Sequence, residues 1–431
     1  MHQIRTVQPI GAFAFPLGML LLPDDVEDYE VEQARASLIE AREPASWPVT
    51  LRGHELAHAG RLDEAAAHFT QADEPISAFN RYVLEPEGVD TVALRNALPS
   101  HLADLVDAVR YTIGDLDHVP PASSTAPEVV ALLDAARASE LLSHGDPAGA
   151  IALLHDAAES VAPVSAPLSA LLLGNAGTIG HEYGVDPDQA LDDLRVACLG
   201  LVETDLVLAR AELHLRLGLA IHAAAAAGRR PLKDAVHEYY SALQLVDEDS
   251  APYTWASAHL NLGAAYLTMP MIEATDQLRS GIAMQSLRAA LGVFTREEHP
   301  AEWASATLNL ANALVYTPST HQGDNIVEAV ERYEEVLETR SRDTDPLGRA
   351  RILANLGNAL AHLGIFEHAK SRLYEARFLF EEALDHESVM AVRSILDEIS
   401  RETVPDSGRV THALPGRIPV PESEEPEEVG S

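Results

Sequence analysis

Residues Leu356–Ala376 read LGNALAHLGIFEHAKSRLYEA. Small residues recur in this stretch at Gly357, Gly364, Ala369 and Ala376, with Leu356, Leu360 and Leu373 set between them. Two antiparallel helices approach closely only where Gly or Ala faces the partner, and a large side chain must fill the space beside it. The spacing therefore predicts a helix that ends at Gly364 and a second helix carrying Ala369, Leu373 and Ala376. The same offsets return as Gly53, Leu56, Gly60, Ala65, Phe69 and Ala72, and again as Ala138, Leu141, Gly145, Ala150, Leu154 and Ala157.

Further copies carry a longer loop between the two helices. These are Leu173-Gly174 with Ala190, Leu194 and Ala197, and Leu217-Gly218 with Ala235, Tyr239 and Ala242. Leu262-Gly263 goes with Ala283, Leu287 and Ala290, and Leu310-Ala311 with Ala329, Tyr333 and Val336. Each pair leaves an apolar side that only the next pair can cover, so the pairs must stack and the array needs capped ends. The expected fold is all-α, an α-solenoid of antiparallel helix pairs wound as a right-handed superhelix. Residues 381–400 read as a final capping helix, and residues 77–125 are helical in part without the template.

Composition agrees with this reading. Hydrophobic residues make up 47% of the 431-residue chain and aromatics 5%, the balance of an Ala- and Leu-rich helical array. Lys and Arg total 30 against 67 Asp and Glu, a net charge of −37 that repels phosphate backbones and anionic lipid. Nucleic acid and membrane surfaces are thereby disfavoured, and a neutral or basic protein or peptide is the partner to expect. The single cysteine, Cys198, cannot pair within the chain and fits a reducing compartment. The apolar run Ile10–Leu22 is broken by Pro16 and followed by acidic residues, which does not fit a secretory leader, so a cytoplasmic location is expected.

The template resembles the tetratricopeptide repeat superfamily over roughly residues 45–400. Trp255-Ala256-Ser257-Ala258 leading to Leu260-Asn261-Leu262-Gly263 is echoed by Trp303-Ala304-Ser305-Ala306 leading to Leu308-Asn309-Leu310-Ala311, and a loop Gly323-Asp324-Asn325-Ile326 follows. These copies are similar to bacterial arrays that often accompany caspase-like CHAT protease domains; with no Cys/His dyad of that kind read in this sequence, the resemblance implies recognition without the protease. The chain divides into an N-terminal apolar segment with a first helix (1–44), a first repeat with an irregular helical segment (45–125), a repeat array with its capping helix (126–400) and an acidic, Pro-rich tail read as disordered (401–431).

The resemblance implies a concave groove lined by the first helix of each pair, where asparagines hydrogen-bond an extended ligand's main chain. The candidates are Asn175, Asn261, Asn309, Asn312, Asn355 and Asn358, with Arg351 as a cation. An amide both donates and accepts, as a peptide group does. The carboxylate-clamp variant of such domains needs lysines where this chain has Leu260, Leu308 and Ala354. His54-Glu55-Leu56-Ala57-His58 matches HExxH, the spacing of a zinc peptidase. Gly53, Leu56 and Gly60 already belong to the helix-pair template, so the histidines are expected to face solvent or groove and no metal or other cofactor is assigned. Cys198 reads as a small buried hydrophobe. Ile10–Leu22 is expected to fold back and cap the first pair, the alternative being a partner-docking arm. The expected function is a non-enzymatic scaffold or adaptor that binds a protein or peptide, including an accessory or maturation factor for an enzyme. The alternatives are a peptide-responsive sensor acting through a partner, and a metallopeptidase using His54, Glu55 and His58.

Overall fold

Asp146-Pro147, Asp186-Pro187 and Asp345-Pro346 each open a helix, because Asp caps the first turn and Pro sits where its missing N–H costs nothing. The cap carboxylates accept from the N–H groups of Gly149 at 2.9 Å, Gln189 at 3.2 Å and Gly348 at 2.8 Å. At the opposite ends Gly60, Gly145, Gly184 and Gly364 take φ of 65–76°, the left-handed conformation that stops a helix and that Gly adopts without strain. The structure, a computed structural model, describes residues 8–10, 13–15, 20–23, 28–72, 74–269 and 276–403. The tail expected to be disordered lies outside these residues from position 404 onward.

The chain forms two compact units, Met1–Ala251 and Pro252–Ser431. The first begins with an antiparallel hairpin of β1 (Gln8–Ile10) and β2 (Phe13–Phe15), an addition to the expected all-helical architecture. Among the described residues six short α-helices follow, with a 3-10 turn at Val49–Leu51: α1 (Tyr29–Ile39), α2 (Arg52–His58), α3 (Leu62–Thr70), α4 (Pro75–Leu84), α5 (Thr91–Ala97) and α6 (Leu105–Thr112). The regular pairs α7 (Pro127–Ser143) with α8 (Pro147–Val161), α9 (Ala166–Glu182) with α10 (Pro187–Gly200), and α11 (Val207–Ala226) with α12 (Leu232–Leu243) complete the unit. The segment after α1 reaches far along the chain. Asp205 N–H donates to Ala41 O at 2.9 Å, Arg42 Nε donates to Glu203 O at 2.7 Å, and Glu43 N–H donates to an Asp205 carboxylate oxygen at 2.7 Å.

The second unit consists of α13 (Pro252–Thr268) with α14 (Asp276–Val293), α15 (Pro300–Tyr316) with α16 (Gln322–Leu337), α17 (Pro346–His362) with α18 (Phe366–Glu382), and α19 (His386–Thr403). One apolar cluster runs through it, from Leu287 and Leu310 through Tyr333, Leu353 and Leu373 to Ile395 and Ile399. Stacking supplies this continuity, as the pair-by-pair argument requires. α19 buries Val389, Val392, Ile395 and Ile399 in the cluster, so it covers the face that α18 leaves open. Gly323-Asp324-Asn325-Ile326, expected as a loop, is instead part of the first two turns of α16. Asp324 there complements the helix dipole.

The template register holds at the C-terminal pair. A Cβ on Gly357 would lie 2.7 Å from Leu373 Cγ and 3.2 Å from Ala369 O, and one on Gly263 would meet Leu287 Cγ and Ala283 O at the same two distances. In α9 the corresponding approach falls at Gly177, whose Cβ would lie 2.7 Å from Ala190 O, and not at the expected Gly174. Gly174 faces Leu213 of α11 instead, and a Cβ there would collide with the Leu213 side chain. The repeat α9–α10 is therefore set three residues later than Leu173-Gly174 implies, and its loop is correspondingly short.

Residues 77–125 hold no template pair, and a polar anchor organises them. Asp104, 3% exposed, accepts from Ser123 N–H at 2.6 Å, Ser124 N–H at 2.7 Å, Ser123 Oγ at 2.7 Å and Arg95 Nη2 at 2.9 Å. These bonds pin the stretch before α7 to the start of α6. Asp107 also pairs with Arg95.

Candidate functional site

α2 carries the HExxH residues because Leu56 and Ala57 bury its apolar side, with Leu51 buried just before it. His54 is only 7% exposed, which corrects the expectation that it faces solvent or groove. The cause is Leu21, whose carbonyl lies 2.8 Å from His54 Nε2 and excludes water from the ring. Phe69 packs edge-on against the imidazole at 5.3 Å. Glu55 is paired with Arg52 at 2.5 Å. His58 is half-buried, with its ring 5.6 Å from that of Trp47. Among the described residues no three His, Cys, Asp or Glu side chains are grouped as metal ligands.

Burial, opposed by the Leu21 carbonyl and reinforced by nearby His68, lowers the His54 pKa from 6.5 to about 4. The unfolded chain therefore binds a proton below pH 6.5 that the folded chain refuses until near pH 4. Stability carried by neutral His54 is full above the unfolded value and is lost as pH falls toward the folded one. Between pH 7 and pH 5 the loss is about 2 kcal/mol. Urea midpoints at the two pH values should show it, and His54→Gln, which is neutral at both and still able to donate to Leu21 O, should remove most of it.

The groove candidates separate by environment. Asn175 lies exposed on α9 of the first unit, while the others lie on α13, α15 and α17 of the second. Asn261 Nδ2 donates to Ser257 O of its own helix at 2.9 Å. Asn309 is half-buried and makes no side-chain hydrogen bond among the described residues. Arg351 is also half-buried, and the carboxylate that feels its charge is Asp385.

Asn312, Asn355 and Asn358 are brought together below the surface, at 2%, 3% and 1% exposure. Asn312 Oδ1 accepts from Tyr333 Oη at 2.7 Å and from Asn355 Nδ2 at 3.3 Å, which links α15 to α16 and α17. Asn358 Nδ2 donates to Tyr316 Oη at 2.9 Å. Each amide keeps one buried atom without a partner: Asn312 Nδ2, Asn355 Oδ1 and Asn358 Oδ1. Turning an amide over exchanges which of its atoms is satisfied and still leaves one of them unpaired. Tyr316 and Tyr333 complete the seam. Tyr333 is legible in the sequence as a template aromatic, but nothing there marks its hydroxyl as the partner of Asn312.

A separate cleft of about 580 Å³ opens among α8, α9 and α10, with Ile151, Ala158 and Leu173 in its lining. Across it His155 Nε2 lies 2.7 Å from Asp193 Oδ2, and Gln189 Nε2 donates to Asp193 Oδ1 at 2.8 Å. Both oxygens of this buried carboxylate are thereby used, Oδ2 in tying α8 to α10 and Oδ1 within α10 itself. Cys198 is buried, and burial pushes its thiol up to about 12, which keeps it protonated and unreactive. No helix of the described residues is long and apolar enough to cross a membrane.

No family model matches the sequence, and no curated protein matches it. Among solved structures the chain is similar to the crystal structure of a Rap protein complexed with competence and sporulation factor. The sequences are 14% identical, the match covers 81% of this chain and 96% of that one, and the TM-score is 0.43. A likeness of this degree carries no argument about function.

Proposed function

We propose that the chain is a non-enzymatic scaffold or adaptor that holds a neutral or basic protein segment along α13, α15 and α17. The observation that carries this reading is the seam of three nearly buried amides with unpaired atoms. An unsatisfied buried polar atom costs about 1–3 kcal/mol, and a core that needed only packing would hold Leu or Ala at these positions. A peptide main chain offers both the donor and the acceptor that the seam lacks. Asn309 and Arg351, half-buried on the same helices, supply further polar reach. Because the amides are 1–3% exposed, a ligand reaches them only when α15 and α17 part, and a peptide-responsive sensor acting through a partner is the second reading that such a motion would suit.

Selection of random displayed peptides on the full chain, followed by anisotropy titration of the enriched sequence, tests the reading. Asn358→Leu keeps the branched shape of the side chain while removing the orphaned acceptor and the donor to Tyr316. It should leave the melting temperature unchanged or raised while weakening the peptide by about tenfold or more. Asn309→Ala and Arg351→Ala should weaken binding with little effect on stability. Failure to enrich any sequence, or affinity in the three variants equal to that of the unaltered chain, would refute the proposal.

A further inference from the structure

The first unit contains an extended segment held as a bound peptide is held. Leu20, Leu21 and Leu22 are 2%, 1% and 3% exposed. Leu21 N–H donates to Asn80 Oδ1 at 2.6 Å, and Leu21 O accepts from Asn80 Nδ2 at 2.8 Å. A single side-chain amide thus reads both polar groups of one residue, and His54 Nε2 adds a third contact at 2.8 Å from the same carbonyl. Among the described residues, positions 20–23 make no main-chain to main-chain hydrogen bond, so all their main-chain pairing is with side chains of α2 and α4. A strand built into a fold pairs with other backbone, whereas a peptide in a helical groove pairs with side chains.

The apolar contacts have the same character. Leu20 joins Leu56, Ala65 and Phe69, template residues of the α2–α3 pair, together with Ala57. Leu22 joins a second small cluster with Val31, Ala34, Leu38 and Leu51. Leu20 and Leu22 thus anchor the ends of a three-residue core, and the central Leu21 is held both through its main chain and by burial of its side chain. Were the segment to leave, Asn80, which is fully buried, would lose both partners, and the Leu20 site would open onto Phe69. The slot then demands another extended apolar segment.

We propose that α1, α2, α3 and α4 form a recognition site for an extended segment of three consecutive apolar residues, filled in cis by Leu20–Leu22 and available to a partner's segment of that pattern when the resident one leaves. The slot presents an amide, a neutral imidazole and apolar side chains, so its ligand is uncharged at the core. This site is independent of the amide seam in the second unit, and either can fail without the other.

The test uses the full chain and a fluorescein-labelled peptide with the sequence of residues 17–25, LGMLLLPDD. Leu20→Asp with Leu22→Asp weakens the resident segment and leaves the slot intact. This double variant should bind the peptide about tenfold or more tightly than the unaltered chain, and adding Asn80→Ala should abolish the gain. Equal binding by the double variant and the unaltered chain, or a gain that survives Asn80→Ala, overturns the proposal. Hydrogen exchange on the unaltered chain decides the matter should the double variant not fold. The Leu21 amide should exchange about tenfold or more faster than the core amides of α3 and α4, through local opening. Exchange of Leu21 only together with those helices would make the segment a fixed part of the core and overturn the proposal.

Discussion

Replacing Asp104 with Ala should cost about 3 kcal/mol or more, read as a lower urea midpoint for the first unit. Both of its oxygens accept only from donors: Oδ2 from Ser123 and Ser124 N–H, Oδ1 from Ser123 Oγ and Arg95. Removing the carboxylate orphans these groups and leaves the Arg95 charge with one carboxylate partner, Asp107. Asp104→Asn should be nearly as harmful, because its NH2 must face a donor in either orientation. An Asn variant as stable as the parent would show that the carboxylate does not anchor the stretch before α7. Burial alone would raise the Asp104 pKa, but the hydrogen bonds from Ser123, Ser124 and Arg95 outweigh it and hold the carboxyl below its ordinary value. Its contribution is therefore complete above the unfolded value of about 3.9 and is lost as pH falls through the lower folded value.

Gly177→Ala should destabilise the first unit by about 2–3 kcal/mol, although Ala is the better helix former by about 1 kcal/mol. The added Cβ would lie 2.7 Å from Ala190 O and 3.0 Å from Leu194 N, both main-chain atoms, so relief requires α9 and α10 to separate. Gly281 in α14 has no atom within 4 Å of its Cβ position and serves as the control. Gly281→Ala should be stabilising by several tenths of a kcal/mol up to about 1. Opposite signs at two helical glycines, measured by thermal and urea unfolding, would separate close approach from propensity. A stabilising Gly177→Ala would contradict the packing described for this pair.

These two sites show how far residue patterns reach. Gly357 and Gly263 were legible because one Gly stands at the template position and its partner residues follow at fixed offsets. α9 offers Gly174, Gly177 and Gly180 at successive three-residue steps, so two registers look equally good until the loop and the neighbouring α11 choose between them. Asp104 was not legible, since its partners at 123 and 124 follow no periodicity. The contact of residues 41–43 with 203–205 is equally hidden, being a few polar bonds across a long stretch of chain.

The candidate site was legible in residue type more than in placement. The Asn positions recur beside the template Leu, which identified them, but the sequence does not say which face of an Ala-rich helix its neighbours cover. Asn309 stays half-buried while Asn312, three residues on, is enclosed by Tyr333 and Asn355. HExxH shows the same division. Its spacing is that of a metal site, yet Leu21, 33 positions away, takes up His54 and leaves it a hydrogen-bonding role.

A peptide held as proposed by the amide-bearing helices of the second unit would protect those helices from hydrogen exchange. Comparing exchange with and without a selected peptide should show slowing concentrated in α13, α15 and α17, abolished by Asn358→Leu. Protection confined to other helices, or protection that persists in Asn358→Leu, would contradict that mode of binding.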